Sequence, residues 1–117
     1  NVRAEAANAL ASYGVERSWP LLRSSFEADD AWLVRCSILS ALAEQPEIDL
    51  NWLLELATMA ISDADGTVRV SGAEILGRVV RDGADQPLGD QARTLLQPLQ
   101  QDVDHRVVAS ALNGLQS

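Results

Sequence analysis

The chain has 117 residues, 47% of them apolar and only 4% aromatic, with a net charge of −8. That is one domain's worth of chain, long enough to bury a core without disulfides or a metal. Nine Arg, no Lys and an acidic balance argue against a nucleic-acid surface and against an anionic membrane.

In chain order, Val2, Ala6, Ala7 and Leu10 fall at i, i+4, i+5 and i+8 and predict a helix with one apolar face. These first residues already lie in a helical pattern and include no Met, which predicts a piece of a longer protein. Tyr13-Gly14 closes that helix, and Trp19, Leu22 and Phe26 predict a second. Asp29 opens the next turn. Val34, Ile38, Leu39 and Leu42 then repeat the first pattern up to Gln45-Pro46, and Leu53, Leu56 and Ala60 repeat the second. Asp63 opens a third copy with Val68, Gly72, Ala73 and Leu76, closed by Asp82-Gly83. A polar Gly/Pro loop is expected over Arg81–Asp90, followed by a helix with Ala92, Leu95 and Leu99 inward. Asp102 opens the last copy, with Val107, Ala111, Leu112 and Leu115 inward. The Val positions 2, 34, 68 and 107 are separated by 32, 34 and 39 residues, room for two helices and two turns per unit. The expectation is an all-α chain of about seven helices, in one domain over residues 1–117, with repeats at 1–28, 29–62, 63–101 and 102–117.

Asp63, Asp65, Val68 and Arg69, followed by Ala73, Leu76 and Gly77, spell Asp-x-Asp-x-x-Val-Arg before small and Leu positions. This resembles the HEAT repeat, in particular the HEAT-like subtype first described in phycobilisome lyases, with partial copies at Val34-Arg35 and Val2-Arg3. The likeness covers essentially the whole chain. The last copy departs from it, with Val108 in the place of Arg. The resemblance implies an α-solenoid of antiparallel helix pairs whose second helices line a concave face where partners bind. Its functional implication is a scaffold that binds a partner protein or peptide. An alternative is an accessory subunit or domain of a bilin lyase, or another phycobilisome-related assembly factor. A HEAT-like DNA glycosylase is opposed by the acidic balance. No lyase-specific motif is present, so no catalytic residue carries over.

The motif has a structural reading. An Asp ahead of a helix can cap its exposed N–H groups and suits the positive helix end. The Arg after Val can reach an Asp of a neighbouring turn. Asp29, Arg35, Asp63, Arg69 and Asp102 are thus expected to form a ladder between repeats.

Little else points to chemistry, and the chain is expected to be a binding protein, not an enzyme. Cys36 falls in a small apolar column with Ala4, Val70 and Ala109, which predicts a buried structural thiol. A single Cys also excludes an intrachain disulfide and suits a reducing, cytoplasmic setting. His105 has no second His or Cys nearby for a zinc site. Asp63-Ala64-Asp65-Gly66 is similar to the start of a calcium loop, with Glu74 at the twelfth place, but Val68 stands where that loop needs Gly. No carboxylate pair stands out for acid–base work, and Gly66, Gly72 and Gly77 are too dispersed for a phosphate loop. No cofactor and no metal are expected.

The side of each second helix opposite its core columns supplies the candidate partner surface. It comprises Arg17, Leu21 and Ser24, then Asn51, Glu55 and Thr58, then Asp90, Thr94 and Gln97. Trp52 and Met59 lie off the core columns along one edge, and either make a binding hot spot or fill the groove between repeats. Trp32 stands in the turn before a first helix. The longest apolar stretches, such as Trp52-Leu53-Leu54, are too short to span a bilayer, and a monomer is expected.

Overall fold

A computed structural model of the chain describes residues 32–44 and 48–116. Among these residues the structure is all-helical, with no strand. The helices are α1 (Trp32–Ala43), α2 (Leu50–Ala60), α3 (Gly66–Asp82), α4 (Pro87–Leu96) and α5 (His105–Leu115), with a 3-10 turn at Gln97–Gln101 between the last two. The two helices expected before residue 29 lie outside the described residues. The chain divides into two compact units, 1–48 and 49–117.

In the first unit, α1 buries Val34, Ile38, Leu39 and Leu42, the four positions its apolar period selects. Cys36 is half-buried, not enclosed as expected. Its column lies on the flank of the helix: the aligned Val70 is also half-buried and Ala109 is exposed.

The second unit begins at Asp49, whose side chain accepts the Asn51 N–H at 2.8 Å and caps α2. Leu53, Leu56, Ala57 and Ala60 form the buried face of α2 and pack against α3. The 17-residue α3 is the central element, touching α2, α4 and α5. It buries Val68, Leu76, Val79 and Val80 completely. Each such side chain contributes about 1.5–3 kcal/mol relative to exposure. The helix ends at Gly83, whose N–H bonds the Val79 carbonyl at 2.8 Å.

The connection after α3 is shorter than the sequence implies. Pro87 sits in the first turn of α4, where its missing N–H removes nothing. Leu88, Gly89 and Asp90 are therefore helical, and only Gly83–Gln86 remain as a loop. At its other end α4 stops at Leu96. Pro98 cannot donate to the carbonyl of Thr94 and would clash with it, so the chain tightens into the 3-10 turn. Within α4, Ala92 and Leu96 are one turn apart and share the inward side. Leu96 is fully buried, while Leu95, expected inside, is half-buried; Ala92 and Leu99 are buried as the pattern requires.

Helix α5 lies against α3, and the closest approach is glycine on glycine. A Cβ built on Gly114 would stand 3.2 Å from the Cα of Gly77 and 2.8 Å from Cδ1 of Leu96. Arg93 of α4 donates to the Leu115 carbonyl at 3.3 Å, placing a cation at the C-terminal end of α5. Val107 and Ala111 are buried. Leu112, expected with them, is 42% exposed, and Leu115 is half-buried, because among the described residues no helix covers that side of α5.

The glycine contact is testable. Gly114→Leu must push α5 away from α3 and displace Leu96. The expected loss is about 1–3 kcal/mol, or a melting temperature lower by roughly 4–12 °C. Thermal unfolding followed by circular dichroism checks this, and an unchanged melt contradicts the packing.

Candidate partner-binding surface

The two Asp-rich turns that frame α3 and α5 are built alike. Asp65 caps α3 by accepting the Thr67 N–H at 2.8 Å, and Asp104 caps α5 by accepting the Arg106 N–H at 2.9 Å. Ahead of each cap, a first Asp accepts the N–H of the second: Asp63 from Asp65 at 2.9 Å, and Asp102 from Asp104 at 2.8 Å. The capping residue is thus the second Asp of Asp-x-Asp. The first Asp holds the turn in shape and keeps an oxygen for another partner.

For Asp102 that partner is Arg69. Its Nε donates to Oδ2 at 2.9 Å and its Nη2 to Oδ1 at 3.1 Å, a two-pronged pair across 33 residues of sequence. The remaining nitrogen, Nη1, donates to the carbonyls of Asp63 and Ala64 at 2.9 and 3.0 Å. One guanidinium therefore holds its own turn and the next one together. The pair is well shielded, with side-chain exposures of 15% for Arg69 and 11% for Asp102. The Arg69 hydrogen bonds hold the Asp102 carboxyl below its usual range, helped by the Asp104 N–H and opposed by desolvation. Hydrogen bonding to Asp102 raises the Arg69 guanidinium in turn. Asp104 is drawn down to about 2, first by the Arg106 side chain and then by the Arg106 N–H.

The first turn of α3 lies beside Asp104. A Cβ at position 66 would run into that carboxylate, so a larger residue than Gly66 would have to displace the Asp104 side chain. Arg106 bonds Asp104 at 2.8 Å and reaches the Thr67 hydroxyl at 3.4 Å. Two helix N-termini, each worth about half a positive charge, are thus placed side by side among four carboxylates and two guanidinium groups. The segment with the calcium-like spacing is organised by Arg69 instead, and Glu74 is exposed along α3. Among the described residues no group of three His, Cys, Asp or Glu is placed to hold a metal ion.

The outer sides of α2 and α4 carry the other candidate residues, and these two helices touch. Asn51 and Thr58 on α2 are exposed, as are Asp90, Thr94 and Gln97 at α4. Asn51 also braces its cap, donating through Nδ2 to Asp49 at 3.0 Å. Thr58 and Thr94 turn their hydroxyls back to the Leu54 and Asp90 carbonyls at 2.6 and 3.0 Å, which leaves their methyl groups to the surface. Asp90, Gln91, Thr94 and Leu95 line a shallow open hollow. Glu55, Trp52 and Met59 are half-buried, so the Trp52/Met59 edge is not a freely projecting pair. Arg35 is half-buried on α1. Arg17, Leu21, Ser24 and Asp29 lie outside the described residues.

Sequence reasoning passed over Val103 and placed Leu112 on the inner face. Val103 is 91% exposed and Leu112 is 42% exposed, the large apolar side chains most open to solvent among the described residues. Val103 aligns with Ala64, and that small-to-large change in a turn was the available signal. No described helix is long and apolar enough to cross a membrane. Compared with known proteins, the chain matches no family model, no curated protein and no solved structure.

The Arg69–Asp102 pair makes two predictions. Arg69→Ala leaves a half-buried carboxylate and two turn carbonyls without their donor. It should lower stability by about 2 kcal/mol, a fall of roughly 8 °C in melting temperature. For pH, Asp102 and Asp104 bind protons less readily folded than unfolded, where a carboxyl titrates near about 3.9. Their contribution is complete above that value and is lost as pH falls toward their folded values, about 2 for Asp104. The stability gap between the wild type and Asp102→Asn, measured by urea unfolding, should be constant from pH 7 to 5 and shrink below pH 4. A gap that does not shrink at all as pH falls below 4 would falsify the ion-pair account.

Proposed function

We propose that the chain is a HEAT-like helical-repeat scaffold that binds a partner protein through the outer sides of α2 and α4, its second helices. What carries the reading is the recurrence of one turn design. The same Asp-to-Asp and Asp-to-helix hydrogen bonds occur at 63–67 and 102–106, joined by Arg69. A chain that repeats a helix–turn–helix unit builds a long ordered surface, and that surface is what such architectures use. The expected α-solenoid course, with about seven helices, belongs to this reading.

The residues offered to the partner are Asn51 and Thr58 from α2, Asp90 and Thr94 from α4, and Gln97 at the start of the 3-10 turn. They are exposed and small or polar, and the short Asn51, Thr58, Asp90 and Thr94 side chains can be covered with less loss of side-chain freedom than long ones. The hollow beside Leu95 gives the partner an apolar foothold.

Affinity capture from the source cell, with a photo-crosslinking residue in place of Thr94, tests the proposal. The expected result is one defined protein crosslinked at this position and lost with Thr94→Arg, while the melting temperature moves by less than about 2 °C. Capture that survives Thr94→Arg, or crosslinks that appear only from the opposite helices, overturns it.

A further inference from the structure

Of the four Asn in the chain, Asn113 alone is followed by Gly. Such a pair loses its amide more readily than other Asn sequences, because glycine has no Cβ to keep its backbone nitrogen from the neighbouring side chain. Asn113 is exposed to water, while Gly114 is buried. A Cβ built on Gly114 would stand 3.2 Å from the Cα of Gly77 and 3.6 Å from its nitrogen. Inside α5 the Gly114 N–H belongs to the helix ladder, and helical ψ at Asn113 holds that nitrogen away from Cγ. An open amide thus sits beside a nucleophile that the packing locks.

We infer that Asn113 is a spontaneous deamidation site, closed while α5 is docked on α3 and opened when α5 lifts off. The Gly114 nitrogen attacks Cγ of Asn113. The N–Cγ bond forms, the Cγ–Nδ2 bond breaks, and ammonia leaves with the proton that the Gly114 nitrogen gives up. Water then opens the cyclic imide. Cleavage of N–Cγ leaves aspartate at position 113. Cleavage between the nitrogen and the main-chain carbonyl leaves isoaspartate, in which the chain runs through Cβ and Cγ.

The two products differ in what they do to the fold. Aspartate keeps the backbone, and the groove that position 113 lines between α3 and α5 is also lined by Arg81, a cation for the new charge. Isoaspartate lengthens the backbone just before Gly114. It moves Gly114 off Gly77 and the Leu115 carbonyl off Arg93, so α5 cannot return to its seat. One transient opening becomes a permanent one.

The test follows the amide-to-acid mass gain in the full chain at neutral pH. Cleavage after Arg106 gives residues 107–117, in which Asn113 is the one Asn. The Asp-Gly pairs at 65–66 and 82–83 lie outside this fragment and release no ammonia. A peptide of residues 105–117 supplies the unprotected rate. The folded chain should react at least about tenfold more slowly than the peptide, and Arg69→Ala, which frees α5, at least about tenfold faster than the wild type. Where Arg69→Ala does not fold, urea short of the unfolding transition should give the same acceleration. Chain enriched in isoaspartate, detected by its methyl-acceptor activity, should melt lower by more than about 4 °C, and Asn113→Asp should melt as the wild type does. Reaction of the folded chain at the peptide's rate overturns the inference. So do indifference to the loosening of α5 and an unchanged melt of the isoaspartyl chain.

Discussion

Arg69 is the residue through which two turns become one structure. Three of its nitrogens are committed: Nη1 to the carbonyls of its own turn, Nε and Nη2 to Asp102 of the next. A Lys could not do this, because an ammonium lacks the planar fork that meets a carboxylate in two places while a third edge serves carbonyls. The carboxylate it meets is already fixed by the Asp104 N–H, so little side-chain freedom remains to be lost. The pair therefore does more to set the register of α5 on α3 than to add net stability, the use best attested for shielded ion pairs.

Register matters because the contact it governs is unforgiving. Helices that meet through Gly77 and Gly114 approach until backbone touches backbone, with Leu96 filling the space beside Gly114. Sliding α5 by one residue would bring a side chain into that crossing. The polar pair at the N-terminal ends and the glycine pair further along the helices are two fixed points on one interface. Arg93 at the Leu115 carbonyl adds a third from α4.

The charge distribution follows from the same geometry. Two helices with their N-termini side by side put two positive ends together. Asp63, Asp65, Asp102 and Asp104 gather there, and Arg69 and Arg106 keep those carboxylates from repelling one another. Part of the net charge of −8 is thus a consequence of the architecture. The stretch from His105 to Ser117 carries no Asp or Glu.

Among the described residues, the sequence by itself determined the helices and most of their buried faces. Val34, Ile38, Leu39, Leu42, Leu53, Leu56, Val68, Leu76 and Val107 fall on a 3.6-residue period and are buried, because amphipathic spacing is a local property of the chain. The Asp-Arg spacing pointed to Asp102 and Arg69 for the same reason, since a repeated turn must satisfy the same donors each time. Tertiary structure decided what local pattern cannot contain. Packing took Leu96, one helical turn from Ala92, into the core and left Leu95 half-buried. Pro87 began a helix where a loop was expected. Leu112 lies on an apolar stripe yet is exposed, and Trp52 and Met59 lie off the stripes yet are half-buried. Periodicity records which side of a helix is apolar. Only the neighbours that stand against that side decide whether it is covered.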